Sequence, residues 1–454
     1  MALSKTMMTA VIAVLVVSSL VGGTYVGYQR GYADSAQSTN PDQERMVSEI
    51  QTLMETNANI TAENDALRKS VSSIAGKTVK IGYIASDTTT YTATKAFMEQ
   101  VVQPDINLYA SGLGLDVGFE FIILDAQGQA QKHLEHVQQL RSEGVDIFIG
   151  AGWSSQGCAT LSYANANKML MMSPSSTSPT LAIARDSFFR MCPADTALPP
   201  TLADVLWDYG IKEVVVIQRG DSWGDGIINL FKPAFTANGG AVSEIVRYPA
   251  ETTDFCPSLM EARTLGEEAI ARMGGDTSKV GVLLLAFDEA SQILKAVSQC
   301  EILYNLTWFG ADSTARSANI TANAPIEANH LKLYSLLAQM PDSTRYNDLK
   351  AQYEAATGKD FSIYRAYLYD AAWVLAKTIL ETGSDDATRV AAALPSVCEN
   401  HYGVTGWCKL DEYGDRAPPT YDIWYYAPGA TAPSVSALAG NYYPDTRVTN
   451  WSAE

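Results

Sequence analysis

Histidine is scarce in this chain, with four in 454 residues. That removes most of the usual general bases and imidazole metal ligands. No His-Glu-x-x-His helix and no Walker phosphate loop is present, so zinc-protease and nucleotide-hydrolysing chemistry find no support. Gly152-Trp-Ser-Ser-Gln misses the Gly-x-Ser-x-Gly nucleophile elbow by its last residue. His401 would be the sole distant partner for such a serine. His133 and His136 stand three apart on a polar helical stretch with no acidic ligand set nearby, and read as solvated surface. None of the six cysteines lies in a Cys-x-x-Cys pair, so a structural zinc is not expected. Basic residues are the minority, 32 against 50 acids, for a net charge of −18. That balance argues against a nucleic-acid or anionic-lipid surface as partner. The expectation is a chain that is not an enzyme and takes no cofactor.

Long apolar runs are also few, and the first is the most telling. Met7 to Val26 is almost wholly apolar, with Lys5 before it and Arg30 after it. About twenty such residues span a bilayer as a helix; the alternative is a cleaved signal peptide. No cysteine precedes Cys158, so lipid attachment near the N-terminus is absent. Either way the bulk of the chain is expected outside the cytoplasm, with residues 1–30 as anchor or signal and the uncleaved anchor favoured. A stalk over 41–76 follows. Met46, Leu53, Ile60, Leu67 and Ile74 fall at one heptad position, and Ile50, Asn57, Asn64 and Val71 at the other. Asparagine within such a seam favours a parallel in-register dimer, so residues 46–74 are expected to pair two copies. The alternative is one amphipathic helix lying on the globular part. Cys158, Cys192, Cys256, Cys300, Cys398 and Cys408 make an even count in an exported chain, which points to disulfides. The sequential pairs 158–192, 256–300 and 398–408 each stay within one local unit. Asn59, Asn305, Asn319 and Asn450 each head an Asn-x-Ser/Thr glycosylation sequon.

The remainder is organised around Asp146 to Pro179. Asp146–Gly150 is a short apolar run that suits a buried strand. Gly150, Gly152 and two serines then open a helix over Gln156 to Asn167, and a second strand, Met169–Met172, ends in Ser173-Pro-Ser-Ser-Thr177. Strands at Lys77–Ala85, Phe119–Asp125 and Glu213–Gln218 alternate with helical stretches at Thr92–Leu108, Gln129–Glu143 and Ile227–Asn238. Further strands are expected at Val280–Ala286, Thr307–Phe309 and His330–Tyr334, with helices at Ser343–Thr357 and Tyr364–Thr382. Such alternation means βαβ units and a parallel sheet. In an open parallel sheet, ligands gather at the carboxyl ends of strands, where helix N-termini favour an anion. Ser154, Ser155, Ser175, Ser176 and Thr177 supply hydroxyls and amides at two such ends. Asp312, after the Thr307–Phe309 strand, and Asp288, after Val280–Ala286, are candidate counter-charges for a ligand cation. Trp223 and Tyr91 offer flat faces to an apolar or cationic part. The same serines cap helices in many folds, and Asp312 is equally placed to cap the next helix.

Gly150-x-x-x-Ser154-Ser155 followed by Ser173-Pro-x-x-Thr177 resembles the branched-chain amino-acid-binding proteins of ABC importers, within the wider receptor ligand-binding group that includes amide and urea binders. Asp221-Ser-Trp-Gly-Asp-Gly226, Gly310-Ala-Asp312 and Tyr402-Gly-Val-Thr-Gly406 with Leu410-Asp-Glu-Tyr-Gly-Asp-Arg416 carry the resemblance onward, over roughly 78–427. It implies an α/β fold of two lobes, the type I periplasmic-binding-protein fold. Each lobe is a parallel sheet flanked by helices, with the ligand cleft between lobes and three chain crossings. Arg190–Pro200 suits the first crossing. The expected division is lobe 1 over 77–195 and 328–402, lobe 2 over 196–327 and 403–427, and a flexible tail over 428–454. The resemblance also implies roles. Ser154 and Thr177 would hold the ligand carboxylate, the Ser175 carbonyl and Asp312 the ammonium, while Trp223 and Tyr91 form aromatic walls. Phe287-Asp288 departs from the family's tyrosine- and glycine-rich turn, which leaves amino acid, short peptide, amide and urea all open as ligand. The function implied is extracytoplasmic capture of an amino acid or small polar solute for an ABC permease. Two other functions fit the same features: a membrane-tethered dimeric receptor or sensor ectodomain, and a surface-layer structural protein.

Overall fold

The computed structural model describes residues 41–339, 341–417, 420–429 and 435–452. The apolar run 7–26 lies outside them. No helix among the described residues is long and apolar enough to cross a membrane.

The chain divides into two units, residues 1–66 and 67–454. The described part of the first belongs to the helix Pro41–Ser70. Its heptad residues Leu53 and Ile60, with Met54, are exposed. The expected coil register ends sooner than Ile74, because Val71 and Ile74 are buried in the globular core and Leu67 packs against it. Those three positions are apolar on account of the domain and not of a coil seam.

The second unit holds two sheets. The first contains β1 (Lys77–Ala85), β2 (Val117–Asp125), β3 (Ile147–Ile149), β4 (Leu170–Ser173) and β5 (Phe188–Pro193), all parallel. The second contains β6 (Glu213–Gly220), β7 (Ala241–Pro249), β8 (Val280–Leu285), β9 (Thr307–Gly310) and β10 (Tyr334–Ala338), also parallel. A small hairpin joins β11 (Tyr402–Gly403) to β12 (Gly406–Trp407). β13 (Asp415–Arg416) then extends the first sheet beside β5. β14 (Tyr421–Ala427), β15 (Val435–Tyr443) and β16 (Val448–Trp451) extend the second sheet antiparallel from β10. Strand order is 13-5-4-3-1-2 in the first sheet and 16-15-14-10-9-8-6-7 in the second. Helices cover both faces, which is why β6 and β8 read as unbroken apolar runs and are buried along nearly their whole length. β7, at the sheet edge, alternates buried and exposed residues instead.

The chain passes between the sheets three times, after Pro193, Ala338 and Arg416. Several expected boundaries move. β10 belongs to the second lobe and not to the first, because Tyr334 and Leu336 complete that lobe's core between β9 and β14. Residues 403–416 belong to the first lobe. Asp370, buried in that lobe's long helix, accepts the Val404 N–H at 2.8 Å and the Thr405 N–H at 2.9 Å. Asp415 pairs there with the fully buried Arg190. The stretch 428–454 is no loose tail over its described residues. It carries β15 and β16, Tyr442 is buried, and Arg447 pairs with Asp204. Its Ala, Ser and Gly content hid an edge strand.

The cysteines also depart from expectation, since all six are free. Cys158 is exposed on a helix while Cys192 is fully buried, so that pair stands in different surroundings. Cys256 is exposed and Cys300 half-buried; Cys398 and Cys408 are both buried thiols. His133 is buried and not solvated.

Candidate binding site

The first wall of the site is the turn after β3. Ala151 holds a left-handed backbone at φ +56°, a strained choice for a residue with a side chain. Two devices stabilise it. Its N–H donates to His133 Nε2 at 2.7 Å. Its carbonyl accepts the Ser173 hydroxyl at 2.9 Å and the Ser176 hydroxyl. Because Nε2 accepts, the hydrogen sits on Nδ1, which donates to the Thr160 hydroxyl at 2.8 Å. Burial pushes the His133 pKa down to about 3, so the ring is a neutral structural post. Gly152 follows, and a Cβ there would stand 2.9 Å from Ser86 Cβ. The turn therefore lies tight against the end of β1. Gln156 locks that contact, donating to the Ser86 carbonyl at 2.7 Å.

Ser154 opens the helix Ser154–Ala166. Its oxygen accepts the Ser178 N–H at 3.1 Å, which leaves the hydroxyl hydrogen to give. Ser175 Oγ donates to the Gly152 carbonyl at 2.8 Å. The buried Arg190 holds this second turn, donating to the carbonyls of Ser176 at 3.1 Å and Ser178 at 2.8 Å. The two hydroxyl-rich strand ends are thus tied to each other and to β13.

The second lobe faces them. Asp221 caps the helix Ser222–Ala237 by accepting the N–H groups of Trp223 and Gly224. Trp223 is buried, and its ring centroid lies 4.7 Å from that of Phe287. Phe287 also meets Trp153 of the first lobe at 5.6 Å. Arg219, paired with Asp221 and Glu289, stands over Phe287 at 4.8 Å and Trp153 at 5.5 Å. Ser178 Oγ donates to the Ser222 carbonyl at 2.9 Å. The lobes are therefore joined by rings, a cation and a hydrogen bond along one side of the cleft.

Between them lies a cavity of about 180 Å³. Ser154, Ser175, Thr177, Trp223 and Asp312 of the expected set line it. Tyr91, Ser155 and Asp288 do not. Tyr91 packs on the first-lobe core beneath Lys95, and Asp288 sits near Asp87 and Glu289. The cavity adds residues that sequence reading did not assign to a site, chiefly Ser86, Trp153, Ser362, Tyr364 and Arg365. A smaller void of about 20 Å³ is bordered by Thr177, Asp195, Asp312 and Tyr364. That is room for one water-sized group.

Two carboxylates border the void without an ion-pair partner among the described residues. Asp312 Oδ2 accepts the Tyr364 hydroxyl, while Asp312 Oδ1 is buried with no partner. Asp195 Oδ2 is likewise buried and unpartnered. Burial pushes both pKa values up, and the Asp312 charge raises Asp195 further. The Thr177 hydroxyl and the Trp223 indole, near Asp195, oppose that rise. Arg190 is close enough to help but is committed to Asp415. Asp195 was legible only as part of the expected crossing Arg190–Pro200; an acid just past the last strand of a lobe was the available signal.

Comparison with known proteins agrees with this architecture. An uncharacterized protein of Methanocaldococcus jannaschii is 26% identical over 394 residues, covering 82% of this chain and 91% of its own. A leucine-binding protein of Thermotoga maritima superposes with a TM-score of 0.66 at 21% identity, over 81% of this chain and 99% of that one. A solute-binding protein of an ABC transporter from R. palustris, solved with benzoate, gives 0.63 at 17% identity, over 80% and 96%. The fold is that of two-lobed type I periplasmic-binding proteins. Residues 104–429 match the receptor family ligand binding region, and the chain belongs to that family.

Proposed function

We propose that this chain is an extracytoplasmic solute-binding protein that captures a single free amino acid between its lobes and presents it to an ABC permease. The observation that carries the reading is the pair Asp195 and Asp312. Each has a buried oxygen without a partner, at a void the size of an ammonium group. A buried charge lacking a partner costs several kcal/mol, so the closed cleft calls for a cation there. Next to it, the Ser154 hydroxyl and the N-terminus of the helix Ser154–Ala166 offer donors to a carboxylate. An ammonium adjacent to a carboxylate is the signature of an α-amino acid. Size agrees: a cavity of about 150 Å³ holds a benzene-sized guest, so about 180 Å³ suits one amino acid and is too small for a peptide. The leucine-binding relative supports the same ligand class. Lobe closure buries the ligand and creates the form that docks on the permease. None of these steps needs catalysis.

In this reading residues 7–26 anchor the protein, and the helix Pro41–Ser70 stands between anchor and domain in sequence. The exposure of Leu53, Met54 and Ile60, at 59%, 60% and 50%, favours a second copy along that helix, and with it the receptor or sensor reading as the alternative.

The test is a thermal-shift panel on the full chain with the twenty amino acids, amides, urea, benzoate and dipeptides. A ligand at one hundred times its Kd stabilises by about 2.7 kcal/mol. Stabilisation by amino acids alone is expected. Stabilisation by benzoate, amides or urea and by no amino acid would overturn the ammonium assignment.

A further inference from the structure

We propose that the cleft selects an amino acid with a second anionic group, of the aspartate or glutamate class, and that Arg365 is the residue that selects it. The inference rests on the amino-acid reading above and assigns the part of the cavity which that reading leaves without a role.

Arg365 lines the cavity from the first turn of the helix Ile363–Thr382. The other arginines named around the cleft are committed: Arg190 to Asp415, and Arg219 to Asp221 and Glu289. Arg365 has no acidic ion-pair partner among the described residues, and its electrostatic neighbour is the buried Tyr83 hydroxyl of β1. Arg365 is half-buried, so a ligand that shields it further from water is favoured when it brings the opposite charge. Arginine is also suited to take a carboxylate two-pronged.

Sheet order says which ligand group meets it. In the first sheet the strands run β5, β4, β3, β1. Asp195 follows β5, Ser175 and Thr177 follow β4, Gly152 to Ser154 follow β3, and Ser86 follows β1. Arg365 belongs at the β1 end, beside Tyr83. Neighbouring strands stand about 4.8 Å apart. The acid pair therefore marks one end of the row, the carboxylate-binding hydroxyls its middle, and Arg365 the far end, roughly 5 Å or more beyond them. The side chain of an α-amino acid leaves Cα in a direction separate from both the ammonium and the α-carboxylate, so with those two held at the acid pair and the hydroxyls, a side-chain carboxylate has the Arg365 end open to it. The surroundings at that end are polar as well, with Ser86, Thr90 and Ser362 on the cavity wall. An aliphatic side chain placed there would dehydrate those groups and satisfy none of them.

The test is titration calorimetry of the full chain and of Arg365→Met with L-glutamate, L-aspartate and L-leucine, one at a time. The expected result is that the unaltered protein binds glutamate or aspartate at least tenfold tighter than leucine. Arg365→Met then loses at least tenfold for the acidic ligand and keeps its leucine affinity within threefold. Should the methionine variant fail to fold, Arg365→Gln carries the same expectation. Tighter binding of leucine by the unaltered protein would overturn the inference and leave the amino-acid reading standing. So would an equal loss for leucine and glutamate in the variant, since Arg365 would then hold the α-carboxylate. No binding of any of the three, nor of any amino acid in the panel, would sink both.

Discussion

Replacing Asp312 with asparagine should make the empty protein more stable and the ligand useless. Asp312 and Asp195 each leave a buried oxygen without a partner among the described residues, and both carboxyls are pushed up in pKa by burial. A carboxyl whose folded pKa is raised leaves stability intact below its unfolded value of about 3.9 and removes it as pH climbs toward the folded value. Each unit of that climb costs about 1.4 kcal/mol. The replacement amide would carry no charge, would still accept the Tyr364 hydroxyl, and could turn its hydrogens toward Asp195. Relief of one unsatisfied buried polar group is worth about 1–3 kcal/mol, or about 1–4 °C in Tm at about 2.1 cal/mol/K of unfolding entropy per residue of a unit of this size. The gain should be present at pH 7 and vanish near pH 4. The asparagine has no charge for an ammonium, so the amino acid that stabilises the unaltered protein should no longer do so. Scanning calorimetry of both proteins at pH 4 and pH 7, with and without that ligand, reads all of this. A lower Tm at pH 7, a gain that persists at pH 4, or an undiminished ligand shift would refute the reasoning.

His133 gives a pH dependence of the opposite sign. Its folded pKa is pushed down to about 3, so below about pH 6.5 the unfolded chain takes up a proton that the folded one refuses. Stability should fall by about 1.4 kcal/mol per pH unit below that point, and His133→Gln should remove this component of the slope; parallel melting curves for the two proteins between about pH 6.5 and 5 would count against it. The free cysteines make a chemical prediction. Without reductant, a thiol-selective dye should label Cys158 and Cys256 in the native protein, and Cys192, Cys398 and Cys408 only after unfolding. Fewer than six thiols in denaturant would restore the expected disulfides.

What the sequence showed of this site was what it builds locally. The Gly150–Ser155 and Ser173–Thr177 turns each follow a short apolar strand, and both the strand and the small residues lie within a few positions of each other. Their pairing is also local, since β3 and β4 are neighbours. The lobe boundaries were less visible for a related reason. Tyr334–Ala338 is a short apolar run that either sheet would accept, and its place is decided by β9 on one side and by β14, far along the chain, on the other. The same holds for 403–416, whose membership is set by Asp370 and Arg190 from distant segments. His133 misled for want of one fact, the left-handed Ala151 whose N–H needs an acceptor.

The groups that distinguish this cleft have no local signature at all. Trp153 adjoins the serine motif, yet its partner is Phe287 of the other lobe. Tyr364 and Arg365 belong to a helix that returns to the first lobe after the second crossing. In sequence they are a tyrosine and an arginine in an ordinary helical first turn. Their effect comes from what faces them: Tyr364 reaches Asp312 of the other lobe, and Arg365 meets no acid among the described residues. The contrast has a physical origin. A strand end and the turn after it fix their own geometry through backbone hydrogen bonds, so the donors for a carboxylate are written contiguously. Charge selectivity requires groups from several segments to be desolvated together, and those segments are brought to one place only by the tertiary fold. The contiguous turns are what the family resemblance reads, and for that reason it identifies the fold well before it identifies the solute.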